Sequence, residues 1–300
     1  MIKELILLSR ENTIKSYRST KEWAADYYHL TKEKTPFEKA LLGGFSCQQF
    51  SFAFMAGYQA ALEKMFPTIA PNELKALCVS EEKGGHPKVI QTTLVNNQIK
   101  GLKTYVTAGS DASHFLVLCK TNETLEERPL LKIVHLINPS DNMKVSNFEL
   151  PFMKEVKHGK LALENTPVSN SQILEGDGFE DYAKPFRTLE DILVGTAQQA
   201  MLLRQAIDSN WNEALREQLL LNLHTFKYLL QLPALDKETH LLLTANEQRF
   251  EELLPKIDAQ ILEHSATSFQ ENWNTNKKVL NLAKKVKEIR LAKARVSLFG

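Results

Sequence analysis

The sequence predicts an α+β protein in three parts: N-terminal helices, an antiparallel β middle domain and a C-terminal antiparallel helical bundle. Three observations predict it. Apolar residues recur at helical spacing in residues 1–74 and again in residues 188–300. Between them, residues 75–187 break into short runs rich in β-branched residues, separated by Gly, Asn, Pro and Asp turn signals. The connections within the last part are short, as between antiparallel neighbours in a bundle.

In chain order, Trp23, Tyr27 and Tyr28 give the first segment an aromatic face. FSCQQFSFAFMAGYQAALEKMF (Phe45–Phe66) is the strongest helix, with Ser46 as N-cap and Pro67 as its stop. Its stripe Phe50, Phe54, Tyr58, Leu62 and Phe66 reads as core rather than as a ligand surface. The runs KALCVS, VIQTTLV, KTYVT, FLVLCK, LKIVHLI, KLALEN and SQIL read as strands of a barrel or sandwich. Helices follow over Thr188–Ser209, Asn212–Gln231, Lys237–Glu263 with Pro255 as a kink or break, and Ser268–Ser297. Cations crowd the polar face of that last helix, which the helix dipole and solvation explain.

Composition narrows the function classes. The 300 residues carry 37 Lys and Arg against 36 Asp and Glu, so no charge excess points to nucleic acid or to an anionic membrane. No run is long and apolar enough to span a bilayer, and the N-terminus lacks the pattern of a secretion signal; a cytoplasmic protein is expected. Cys47, Cys78 and Cys119 are widely spaced and read as reduced, buried thiols. His86, His114 and His135 show no metal-ligand spacing, and GDGFED (Gly176–Asp181) reads as a turn, not a calcium loop, so no metal is expected.

One stretch carries a hint of chemistry. GLKTYVTAG (Gly101–Gly109) places Lys103, Tyr105 and Thr107 on one face at period two. An aromatic ring flanked by hydroxyls suits a planar ligand, but taken alone it more often marks a half-buried strand.

ALCVSEEKGGHP, GLKTYVTAG and GKLALENTPVSNSQIL, in that order, resemble the middle domain of acyl-CoA dehydrogenases, and the resemblance covers most of residues 45–200. AFMAGYQAAL is similar as well. The resemblance implies an FAD-dependent oxidation of acyl-CoA thioesters: a carboxylate removes the α-proton, and a hydride leaves the β-carbon for the flavin. It implies that Ser80, His86, Tyr105 and Thr107 stand where the family touches the flavin ring, with Tyr105 in place of a Trp. It also implies a homo-oligomer, such as a homodimer packed through the C-terminal bundle.

The sequence departs from the family at three places. The Y-E-G-T-like segment that carries the usual base is absent, the nearest region reading HSATSFQENWNTNKK. The R-x-x-F-G and Gly-rich stretches that hold the FAD phosphates are absent too. EEKGGHP replaces an E-P-x-x-G-S-D turn. A minority of the family carries its base on the first helix of the C-terminal domain, and in LEDILVGTAQ that position is Glu190. Glu190 also suits the first turn of a helix capped by Thr188, where the dipole stabilises a carboxylate. Two functions follow: a flavin oxidoreductase with Glu190 as base, or a non-catalytic relative that binds an acyl thioester or a partner protein.

Overall fold

The structure is a computed structural model that describes residues 2–10, 15–281 and 284–299. Four helices come first: α1 (Ile2–Arg10), α2 (Thr20–Leu30), α3 (Pro36–Phe45) and α4 (Phe50–Met65). Seven strands follow: β1 (Lys75–Cys78), β2 (Thr93–Val95), β3 (Gln98–Thr107), β4 (His114–Leu125), β5 (Arg128–Ile137), β6 (Met143–Phe148) and β7 (His158–Pro167). The chain then returns to helix in α5 (Lys184–Asp208), α6 (Glu213–Leu229), α7 (Lys237–His264), α8 (Thr267–Asn276) and α9 (Lys284–Phe299). The mixed architecture and its order are those predicted.

Several boundaries differ from the sequence reading, each for a local reason. The long helix over Phe45–Phe66 is two helices. Thr35 and Glu38 form a reciprocal capping box and Pro36 occupies the first turn, so PFEKALLGGF folds as α3 and ends at Phe45. Ser46 is therefore the C-cap of α3, and Gln49 precedes α4. Thr188 is not an N-cap: α5 begins at Lys184, and GFEDYA before it is a π-helical turn rather than a loop. Asp177 nucleates that turn by accepting from the N–H groups of Phe179 and Glu180 while its carboxylate receives two bonds from Arg128, at 2.9 and 3.0 Å. α7 runs unbroken through Pro255, whose exposed position leaves the freed carbonyl to water. The expected last helix is interrupted by a 3-10 turn at Lys277–Asn281, because the Asn276 side chain accepts the Met153 N–H at 2.6 Å and draws the chain toward the β region. Residues 282–283 of that expected helix lie outside the described residues.

The strands form one sheet in the order β1-β4-β2-β3-β7-β6, with β5 on β4. It is not wholly antiparallel: β1 and β2 both pair with β4 in parallel. SQIL contributes a single bridge, Val134 to Ile173, and MKVSNF, not among the runs read as strands, is β6. Two apolar cores share the structure. One joins α2, α4 and the sheet to the start of α5; the other joins α3 and α5 to α6, α7 and α8.

α5 is the spine of both cores, and α3 and α4 touch it through glycines. A Cβ on Gly44 would overlap the Ala197 backbone, and one on Gly57 would overlap Leu193 and Val194. These contacts fix the height and rotation of α5. Gly57→Ala is expected to destabilise the protein by about 1–3 kcal/mol, because backbone cannot yield as a side chain tip can. Urea unfolding checks it.

Candidate active site

The candidate site lies where the first turns of α5 meet α4 and the end of the sheet. Glu190 is well inside α5, six residues from its start at Lys184, so dipole stabilisation does not explain it. Its carboxylate makes no hydrogen bond or ion pair among the described residues and faces a pocket of about 270 Å³. Burial, then the neighbouring Asp191 carboxylate, push Glu190 up to about 8, against the opposing pull of Arg187, Lys287 and Arg290.

The pocket is lined by apolar side chains of four helices, among them Phe54, Val194, Phe226 and Leu254, with Gln198, Gln199, Glu247 and Lys287 as polar members. Several charges on its wall are paired off, and Glu251, also on the wall, is exposed. Arg290 binds Asp191, while Lys287 binds Glu247 at 2.6 Å and lies 3.6 Å from Asp191. Burial and the Asp191 charge raise Glu247 above the usual carboxylate range. Glu190 is left as the buried carboxylate without a cation in contact among the described residues, Glu251 being exposed.

On the sheet side, Arg187 lies one turn before Glu190 on the same helix face. A methyl group at Gly85 would sit 3.6 Å from both the Arg187 guanidinium and the Ser80 hydroxyl, so the three are neighbours. Arg187 has no hydrogen bond or ion pair among the described residues; its guanidinium lies 5.9 Å over the Phe179 ring. Burial lowers its pKa. The Tyr58 hydroxyl accepts the Leu77 N–H at 2.9 Å, borders the Thr107 side chain and feels the Glu190 charge. Ser80, Arg187, Glu190, Tyr58 and Thr107 thus form one seam between sheet and helices.

The shared face of Lys103, Tyr105 and Thr107 does not form. A bulge falls between Lys103 and Val106 in the pairing of β3 with β7. Its cause is visible: the Thr104 N–H donates to the Ser80 carbonyl at 2.8 Å, drawing it from the β7 ladder. Tyr105 takes φ +57° and turns outward, 65% exposed, its ring edge-on to Phe148 at 5.8 Å. Lys103 points inward and pairs with Glu81 at 2.7 Å. Tyr105 is therefore not packed inside the sheet, and it stands apart from the pocket lining. His86 is exposed, its Nδ1 accepting the Lys88 N–H to cap a 3-10 turn. The three cysteines are buried and burial pushes each up to about 12. Among the described residues no cluster is placed to hold a metal ion, and no helix is long and apolar enough to cross a membrane.

Sequence reasoning read Phe54 and Tyr58 as core and missed Arg187, Gln198 and Gln199. A signal existed: Arg187, Glu190 and Gln198 are polar residues on one face of a helix whose other buried positions are mostly apolar.

Solved structures with this architecture include the prolyl acyl carrier protein oxidase AnaB, at 14% identity and TM-score 0.72 over 97% of each chain. The chain has the acyl-CoA dehydrogenase fold. Butyryl-CoA dehydrogenase from Megasphaera elsdenii matches over 98% of each chain, at 10% identity and TM-score 0.66. An FAD-dependent dehydrogenase matches over 99% of this chain and 91% of its own, at 13% identity and TM-score 0.63. No family model matches the chain, and no curated protein matches it by sequence. Within the acyl-CoA dehydrogenase fold, the seam just described is the junction of β domain and bundle.

Proposed function

We propose that the chain is a flavoprotein oxidoreductase acting on the CH–CH bond of an acyl thioester, with FAD as hydride acceptor and Glu190 as the base. The observation that carries this reading is the Glu190 carboxylate, unpaired at an apolar pocket and shifted to about 8. A carboxylate with no structural partner and a pKa near working pH suits proton abstraction. FAD, when bound, supplies the acceptor for the hydride from the β-carbon.

The residues of the seam fit a flavin ring. Arg187 offers guanidinium donors with no acceptor of their own, and ring carbonyl oxygens would satisfy them. The Ser80 and Thr107 hydroxyls flank the same seam, and Tyr105, two residues before Thr107 on β3, is exposed. Glu190 takes the proton from the carbon α to the thioester. Phe54, Val194 and Phe226 exclude water from that carbon. Asp191, anchored by Arg290 and Lys287, supplies the negative charge that keeps Glu190 basic. A homodimer is the proposed assembly, and an acyl-CoA or related thioester the proposed substrate.

Protein purified with added FAD is expected to retain flavin absorbance after desalting and to bleach anaerobically with an acyl thioester. Colourless protein that takes up no FAD in titration overturns the reading and leaves the non-catalytic binding role. Arg187→Met supplies a second test with opposite signs. It removes a desolvated charge, so the flavin-free protein should melt no lower than wild type, whereas FAD affinity falls by about 10-fold or more. Paired melting curves and FAD titrations check both.

A further inference from the structure

Resting on the oxidoreductase reading, we propose that the pocket selects an acyl group with a neutral hydrogen-bonding substituent, a hydroxyl, at its distal end, recognised by Gln198 and Gln199. The two glutamines are buried, 5% and 2% exposed, and both line the pocket. Gln198 has no hydrogen-bond partner among the described residues. Gln199 uses its carbonyl oxygen to accept from Asn222 Nδ2 at 2.8 Å, and its amide N–H groups have no partner among the described residues. Asn222 is in turn held by Arg249 Nε at 2.7 Å, so Gln199 is oriented from behind. A pocket for a plain alkyl chain has no use for such groups, since each unsatisfied buried amide costs about 1–3 kcal/mol.

The neighbouring charges decide the kind of substituent. Asp191 and Glu247 are occupied by Arg290 and Lys287, while Glu251, which also lines the pocket, is exposed and pairs with no cation among the described residues, so an anionic substituent is disfavoured. Gln198 brings both a donor and an acceptor, and Gln199 brings donors. The complement is a group that accepts and can also donate. Its place in the acyl chain follows from the helix. Gln198 is eight residues beyond Glu190 on α5, a rise of ~12 Å, so the substituent sits far from the thioester carbon that Glu190 addresses. Phe54, Val194 and Phe226 cover the methylenes between.

The test compares N-acetylcysteamine thioesters of octanoate and ω-hydroxyoctanoate by calorimetric titration, with FAD retention measured on the same preparations. Wild type is expected to bind the hydroxylated thioester about 10-fold or more tightly than the plain one. Gln198→Met should abolish or reverse that preference; Gln198→Asn, which keeps the amide but shortens it, should weaken it. Equal or tighter binding of octanoyl by wild type overturns the inference, and wild type alone gives that answer should a variant fail to fold. An unchanged ratio in Gln198→Met overturns the role of Gln198. Binding of neither thioester also overturns it. Retained flavin with no hydroxyl preference sinks the inference and spares the oxidoreductase reading; hydroxyl preference in protein that takes up no FAD does the reverse.

Discussion

Glu190→Gln is expected to slow anaerobic bleaching by an acyl thioester about 10²–10⁴-fold, the usual contribution of a positioned general base. The substitution preserves shape and removes only the proton acceptor, so FAD retention and thioester affinity should change little. Stopped-flow bleaching beside equilibrium titrations separates the two effects. Bleaching at the wild-type rate would remove Glu190 from the role of base. The pH dependence is a sharper signature. A base must be deprotonated, and burial with the Asp191 charge holds Glu190 near 8. The wild-type rate should therefore climb with pH and level off above about 8. Asp191→Asn removes the adjacent anion and leaves Lys287 and Arg290 closer in charge to Glu190, so the climb should move to lower pH.

The same shift has a consequence for stability. A carboxyl whose folded pKa lies above its unfolded value near 4.5 binds its proton more tightly in the native state. Its contribution is fully present below 4.5 and is lost as pH rises through about 8. Glu190→Gln stays neutral throughout. The variant should thus melt above wild type at pH 8, with the difference vanishing toward pH 4, the pattern of a site that trades stability for reactivity.

The order of elements was legible because it rests on periodicity. A 3.6-residue apolar repeat marks α4 and short, continuous apolar runs mark β4 and β5, and both are properties of single segments. Glu190 was legible through LEDILVGTAQ, but its meaning was not. Read alone, RTLED is a helix start; only the π turn nucleated by Asp177 and Arg128 moves that start back to Lys184 and leaves Glu190 without a dipole to explain it. The planar-ligand wall fails in its geometry. Period two would align Lys103 with Tyr105, and a hydrogen bond from Thr104 to Ser80, distant in sequence, breaks that alignment. Gln198 shared a polar face with Arg187 and Glu190, but that pattern does not tell a glutamine paired within the core, as Gln199 is with Asn222, from one that faces a cavity.

Lys103→Met is expected to cost about 3–5 kcal/mol, the range for breaking a buried ion pair from one side. The pair is well sequestered, with Lys103 and Glu81 side chains 0% and 6% exposed and 2.7 Å apart. Glu81 also accepts from the Gln91 and Thr92 N–H groups, at 2.6 and 3.0 Å, and from the Thr92 hydroxyl at 2.7 Å. Burial alone would raise its carboxyl, but Lys103 and these donors hold it below the usual carboxylate range. The stability it lends is therefore present above the unfolded pKa and is lost as pH falls through the lower folded one. With the lysine gone, the remaining donors blunt the penalty, so the loss should sit at the low end of the range near neutral pH and the acid limb of unfolding should move to higher pH. Urea unfolding across pH 4–8 measures both; a loss under about 1 kcal/mol would show that the backbone donors suffice. The functional effect follows from what the lysine ties together. Its Nζ also reaches the Val79 carbonyl at 3.2 Å, so one ammonium stitches the chain on both sides of Ser80 to β3. Ser80 in turn anchors the bulge at Thr104 that turns Tyr105 outward. Loosening that stitch should lower FAD retention at temperatures where the protein is still folded. A variant that lost stability but held flavin as tightly as wild type would place the flavin contacts elsewhere than this seam.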